Sequence, residues 1–370
     1  MPAKPTLLRL IWWKFEWQPR SASNLAVGQE TTKAIFKMNI LKIPHKGITF
    51  RKAIRTRGIC GALVAAVRFV FQPEAATLPV CRDLVAGRSG LEIGGPSSGF
   101  GSKGFLPIYP AIARLDNCNF GFNTVWEGSI SEGLTFQFDP NKPRGRQYVA
   151  EATDLNMIPD KAYDFVISCH ALEHTANPLR ALKEWVRILK NSGGIVLVLP
   201  HKEETFDHHR PVTTLQHLIE DLQRNTGEDD LTHLPEVLEL TDVDRAWGFF
   251  DFGDLKQRSE KNFQNRCIHH HVFKTCLVVQ MFEYVGMQVL SVESIRPFHA
   301  IVSARKLPNG EIPRNEPFLA ADAPWRKKSP FKIDICTHDA EFNCRASKFW
   351  GGLKRGRAHQ EFIENPAQGL

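Results

Sequence analysis

Residues 163–200 read YDFVISCHALEHTANPLRALKEWVRILKNSGGIVLVLP, and this stretch decides the fold. Asp164–Cys169 is apolar enough to be buried on both faces, as a strand inside a parallel sheet is. Asn177-Pro178 then starts a helix, with Asn as the cap and Pro at the first helical position. Leu179, Leu182, Trp185, Val186 and Leu189 recur at helical spacing through Lys190. Asn191-Ser192-Gly193-Gly194 predicts the end of that helix, because glycine takes a left-handed turn without steric cost. Ile195–Leu199 is a second apolar strand, stopped by Pro200. Strand, helix and strand joined by short loops make a βαβ unit, whose crossover is right-handed.

The pattern extends in both directions. Upstream, Leu91-Glu92-Ile93-Gly94-Gly95 reads as a short buried strand entering a glycine turn, and Tyr148-Val149-Ala150 as another strand. Downstream, residues 201–268 are polar and rich in His and Asp, which marks an insertion on the substrate side. A helix follows over Val272–Tyr284, with Phe273, Leu277, Met281 and Val285 at four-residue spacing and Gly286 at its end. Val289–Val292 and His299–Val302 predict two strands joined near Arg296-Pro297 and paired antiparallel. The folded domain therefore spans 86–305, after a basic arm at 1–50 and an amphipathic helical lead-in at 51–85. Beyond Lys306 the chain is basic and Pro-rich and reads as a mobile tail.

Composition excludes several classes of function. The chain has 370 residues, 42% hydrophobic and 24% charged, which suits a globular protein of one large or two modest domains. No run of eighteen apolar residues occurs, and Gly58–Phe71, the best candidate, carries Arg68, so no spanning helix is expected. The eight cysteines include no CxxC, which removes zinc ribbons and thioredoxin-like redox sites. Cys336, His338 and Cys344 match no standard zinc module. With no secretory signal in the sequence, reduced thiols in a cytoplasmic protein are expected. The net charge is +7 overall, yet residues 1–71 hold thirteen Lys/Arg against two acids. The remainder is slightly acidic, so a nucleic-acid-binding body is not expected. The basic arm allows weak contact with a membrane surface.

Candidate chemistry sits at the strand ends. In a doubly wound sheet the crevice beyond the strand carboxyl ends binds nucleotide-like ligands, which brings forward Glu92, Gly94 and Gly95. Asp116 lies 22 residues past Gly94, a separation at which an acid holds a ribose. Glu151 and Ala152 follow the next strand. His170-Ala171-Leu172-Glu173-His174 satisfies the HxxEH pattern of inverted zinc peptidases. It follows a strand directly and precedes a Pro-started helix, and spacing marks no third ligand, so no metal set is assigned. His201, Asp207, His208, His209 and Arg210 follow the last parallel strand, where they supply either a general base or a polar scaffold. His233 lies further along the insertion, and His269-His270-His271 follow directly after its end.

Taken in order, four segments resemble class I S-adenosylmethionine-dependent methyltransferases of the type-11 group. They are Leu91–Gly95, Glu151–Leu155, Tyr163–Ser168 with Ala171–His174, and Leu182–Gly194. The resemblance covers about residues 86–305 and extends to the terminal hairpin, Met287–Arg305. It implies a Rossmann-like, doubly wound seven-stranded sheet with an antiparallel last strand and S-adenosyl-L-methionine over the strand carboxyl ends. Glu92, Gly94 and Gly95 would border the methionine moiety, Asp116 would hold the ribose, and Glu151 with Ala152 would face the adenine. Ser168–His170 would line the methyl-transfer edge. The loop departs from the family's Gly-x-Gly-x-Gly, because Pro96 and Ser98 replace its later glycines and send it on a different path.

The function so implied is methyl transfer to a small molecule, to oxygen of a sugar or secondary metabolite, with His170, His201 or Asp207 as the base. Two alternatives stand beside it: a non-catalytic relative that only binds, and a zinc hydrolase using the HxxEH run.

Overall fold

The computed structural model describes residues 73–124, 127–246, 251–308 and 311–335. Everything below belongs to the unit that begins at Glu74. The basic arm, most of the helical lead-in, Cys336, His338 and Cys344 lie outside the described residues.

Eight strands form one sheet: β1 Ser89–Ile93, β2 Arg114–Asn119, β3 Gly133–Phe136, β4 Gly145–Val149, β5 Tyr163–Cys169, β6 Leu189–Pro200, β7 Met287–Ile295 and β8 His299–Lys306. Their order is β3-β4-β2-β1-β5-β6-β8-β7. β4, β2, β1, β5 and β6 run parallel, while β8 pairs antiparallel with both β6 and β7. The closing hairpin turns near Arg296-Pro297, as expected. The eighth strand is β3, antiparallel to β4 at the edge. The expected seven-stranded sheet therefore carries one added strand, and its pattern of one buried residue in four hid it from a reading based on apolar alternation.

The central parallel strands are buried on both faces, and alternation sorts their side chains. Leu91, Ile93, Val166, Ile195, Leu197 and Leu199 join one core cluster, beneath α2 (Pro178–Ile188) and α7 (Thr275–Tyr284). Phe165, Ile167, Val196 and Val198 join the other, beneath α1 (Leu78–Val85). α2 starts as expected, with the Asn177 side chain accepting from the Arg180 amide at 3.1 Å. It ends earlier than expected. Leu189 is already extended, Ser192 rather than a glycine takes positive φ, and Gly193-Gly194 belong to β6. Gly194 serves packing instead, since an added Cβ would lie 2.7 Å from the Leu84 side chain of α1.

The insertion is helical. It holds α3 (Leu215–Arg224), α4 (Leu234–Leu240), α5 (Phe252–Ser259) and α6 (Asn262–Asn265), with a small apolar cluster of Val237, Ala246, Leu255, Cys267 and Ile268. The chain beyond Lys306 departs from the expected mobile tail as far as Ile335. The segment forms short helices α8 (Glu316–Leu319), α9 (Pro324–Lys328) and α10 (Lys332–Ile335) and buries Trp325 of α9, Phe331 just before α10, and Asp334 of α10. Such sparse apolar anchors and one hydrogen-bonded acid produce no periodicity, yet they suffice to dock a short segment. Among the described residues no helix is long and apolar enough to cross a membrane.

Candidate functional site

β1 delivers Gly94 and Gly95 to the carboxyl edge of the sheet. Gly94 has φ +83°, which a side chain would strain, and an added Cβ there would lie 2.6 Å from the Ala171 Cβ. Gly95 is held by β2: Asn117 accepts from its amide at 3.1 Å and donates to its carbonyl at 3.0 Å, and Asn119 donates to the same carbonyl at 3.1 Å. Glu92 folds beneath the loop and is fully buried. Tyr109 donates its hydroxyl to that carboxylate at 2.6 Å, and the Ser97 amide donates at 3.1 Å. Burial pushes the Glu92 pKa up to about 7, against the lowering pull of the Tyr109 and Ser97 hydrogen bonds. Glu92 is thus a strut of the loop and offers no exposed face to a ligand.

Two other expected cofactor residues sit elsewhere than the resemblance implies. Asp116 lies in the body of β2, accepting from the Arg146 amide at 2.7 Å and from the Tyr163 hydroxyl at 2.8 Å, so both its oxygens are committed below the strand end. Ser168 is fully buried and donates to the Ile93 carbonyl at 3.2 Å, tying β5 to β1. Glu151 and Ala152 do follow β4 and are partly exposed. Glu151 is paired with Arg266, which also grips Glu228 and lies over the Phe120 ring at 5.2 Å. Burial raises the Glu151 pKa and Arg266 lowers it, with burial the larger effect. The Ala152 carbonyl accepts from the Trp185 indole at 3.1 Å, which pins this turn to α2.

β5 presents His170 at its end with φ +54°, partly exposed. Its Nε2 is 2.8 Å from Nδ1 of His299 on β8, and its Nδ1 is 3.5 Å from Glu173. His299 stacks on Phe105 with centroids 4.0 Å apart. Burial, then the neighbouring His170, hold the His299 pKa well below the usual imidazole value. Burial alone would raise Glu173, but His170, His174 and His269 together leave it lowered and ionised. The HxxEH run holds a single 3-10 turn at Leu172–His174 rather than an α-helix, so His170 and His174 do not share an α-helical face.

The remaining base candidates are engaged in scaffolding. His201 is fully buried, stacked on Phe331 at 3.9 Å with its Nε2 3.4 Å from Asp334. Asp207 is buried between Arg210 at 2.8 Å and His269 at 2.5 Å. Both follow the last parallel strand, as read, but point into the insertion and the docked tail. Sequence reasoning missed Asn117 and Asn119, although their i, i+2 spacing on β2 places them on one face. It also missed Tyr109, Arg266 and His299, whose partners lie 17, 115 and 129 residues away.

The comparisons bear on this edge. The family described as a methyltransferase domain matches residues 119–198, from the end of β2 almost to the end of β6. That segment is similar to a methyltransferase domain. Solved structures similar to it include S-adenosylmethionine-dependent methyltransferases from Aquifex aeolicus and Mesorhizobium loti and a putative one from Listeria monocytogenes. Identities are 14%, 15% and 17%, with 65%, 63% and 62% of this chain covered. The covered shares of those chains are 93%, 98% and 96%, with TM-scores of 0.34, 0.36 and 0.35. No curated protein sequence matches this chain.

S-adenosylmethionine is the cofactor that the resemblance implies, and the strand-end edge offers residues of the kind that would hold it. The strand bodies are sealed, while Gly94, Phe120, Glu151, Ala152, Cys169 and His170 are partly open along one rim. Gly94 brings bare backbone to that rim, and Glu151 brings a carboxylate.

Proposed function

We propose that the protein is an S-adenosylmethionine-dependent methyltransferase acting on a small-molecule acceptor, on oxygen of a sugar or secondary metabolite. One observation supports the reading of an ionisable acceptor: His170 stands at the carboxyl end of β5 with its imidazole set between Glu173 and His299. The cofactor supplies an electrophilic methyl group on a sulfonium. In this reading the Gly94 backbone borders the methionine part, and Glu151 with Ala152 borders the adenine. A hydroxyl of the acceptor takes the place of His299 at His170 Nε2 and gives its proton to that nitrogen. The Glu173 carboxylate, facing Nδ1, stabilises the imidazolium that forms. Positioning and proton removal together supply the acceleration. Asp116 and Ser168 contribute through the sheet, and His201 and Asp207 through the insertion.

Calorimetric titration with S-adenosylhomocysteine tests the cofactor half. Micromolar binding is expected for the wild type, and at least a tenfold loss in Gly94→Asp, whose thermal melt is checked alongside. A wild type that binds none at millimolar concentration overturns the activity and favours a purely binding role. For the acceptor half, release of S-adenosylhomocysteine is followed with a panel of sugar and phenol acceptors. His170→Ala is expected to lower kcat by about 10²–10⁴ with cofactor affinity unchanged.

A further inference from the structure

The insertion and the run just after it bring three histidines and an aspartate to one point that the methyl-transfer reading does not use. His217 and Asp221 stand one turn apart on α3, His233 immediately precedes α4, and His271 precedes α7. The Nε2 atoms of His217 and His233 are 3.1 Å apart, and His217 Nε2 is 3.4 Å from Asp221 Oδ2. His271 Nε2 is 3.7 Å from the same oxygen. One donor atom from each of the four lies within 4.8 Å of every other. The imidazoles stand edge-on, with interplanar angles of 81°, 63° and 73° among the three rings. Asp221 and His271 are buried, and Asp221 Oδ2 has no hydrogen-bond partner. Its other oxygen is held by the Thr226 hydroxyl at 3.2 Å, and the Asp221 carbonyl by Asn177 at 2.9 Å. His271 Nε2 also meets the Ala176 carbonyl at 3.1 Å, while its Nδ1 has no partner.

This arrangement is costly as it stands. A buried carboxylate oxygen without a donor carries a desolvation penalty, and two facing imidazole nitrogens share one proton at most. A divalent cation would accept a lone pair from each of the four, His271 taking the tautomer protonated at Nδ1. Zinc–nitrogen bonds of about 2.0–2.1 Å set tetrahedral ligand–ligand distances of about 3.3 Å. Three of the separations, 3.1, 3.4 and 3.7 Å, bracket that value. The other His-bearing groups suit it less. Glu173 and His269 are already paired with His170 and Asp207, and His209 is exposed.

The geometry points to a zinc site made by His217, Asp221, His233 and His271. Four protein ligands close the coordination shell, so the ion is structural. Thr226 is the partner that orients Asp221. On binding, the His271 proton moves from Nε2 to the unpartnered Nδ1, and Nε2 exchanges the Ala176 carbonyl for the metal. The ion would fasten α3, the start of α4 and the run before α7 to one another. The His270 amide, next to His271, donates to the Glu173 carbonyl at 2.9 Å, so the site lies behind the loop carrying His170.

The inference does not depend on the methyl-transfer reading, because it uses none of the same side chains. Full-length protein purified without chelator is expected to hold one zinc per chain by elemental analysis. After chelation, the folded wild type should rebind one equivalent of zinc, and cobalt in its place should give the visible bands of a tetrahedral ion. Asp221→Asn and His233→Ala are each expected to weaken zinc binding at least tenfold, whereas His208→Ala should keep one equivalent. A chelated, folded wild type that rebinds no zinc overturns the proposal. So does zinc that survives when Asp221→Asn and His233→Ala are combined, or zinc that is lost in His208→Ala.

Discussion

The two halves of the strand-end edge are held in different ways. The loop after β1 is fixed by neutral hydrogen bonds from Asn117, Asn119 and Tyr109, around one buried acid whose hydrogen-bond partners carry no charge. The edge around β5 and the insertion is fixed by charge, through Arg210 with Asp207 and Glu236, and Arg266 with Glu151 and Glu228. The first half sits in a short stretch of sequence on adjacent strands. The second is assembled from positions far apart, which is how a polar insertion without a large apolar core keeps one shape.

The strongest way to break the charged half is at Arg210. Its guanidinium is fully buried and also donates to the carbonyls of His269 at 2.8 Å and His270 at 3.2 Å. Arg210→Met leaves Asp207 without that cation and both carbonyls without their donor. Breaking a buried pair from one side costs about 3–5 kcal/mol. Urea unfolding of the variant is expected to report a loss in that range. A loss below about 1 kcal/mol would mean that the insertion is held by its small apolar cluster instead.

This contrast also separates what could be read in the sequence from what could not. Asp164–Cys169 and Ile195–Leu199 announce buried parallel strands because apolar residues on both faces leave few other options. Asn177-Pro178 announces a helix start because the cap is a local interaction. Glu92, Gly94 and Gly95 were legible as a strand end, but the direction of the Glu92 carboxylate depends on Tyr109, which no spacing rule connects to it. Asp116 satisfied a separation rule and still faced Tyr163. His201 and Asp207 followed the right strand, yet their partners lie in α10 and before α7, and burial of those partners is set by tertiary packing. The docked segment at 315–335 was hidden for the same reason.

The neutral half is probed by pH. Glu92 has a folded pKa near 7 against an ordinary value of 4.5. Between those values the folded state binds more protons than the unfolded state, so stability falls as pH rises through the window and is flat above it. Glu92→Gln removes this dependence. Relative to the wild type, the variant should gain on the order of 3 kcal/mol between pH 5 and pH 8, even if it starts lower through a weakened Ser97 contact. Denaturant unfolding of both proteins at the two pH values measures it. Parallel pH profiles would place the ionised carboxylate in a better-solvated setting than its burial implies.

The smallest expected effect sharpens the comparison most, because it asks why Gly95 is glycine. An added Cβ at this position would lie 2.1 Å from the Glu92 carboxyl carbon. Its φ is not positive, so backbone strain is not the reason. Gly95→Ala must therefore displace Glu92 from Tyr109 and Ser97, at about 1–3 kcal/mol. If that displacement is the whole cost, the same change made in a Glu92→Ala background should be nearly neutral, and the cycle should return most of the loss as coupling. If Gly95 instead serves the approach of a ligand, the single variant would lose affinity for S-adenosylhomocysteine while keeping its stability, and the cycle would show no coupling. The two results assign the glycine either to the loop's internal lock or to its outer face. The hydrogen bonds from Asn117 and Asn119 to the Gly95 peptide favour the lock, since they already hold that peptide from the side of the sheet.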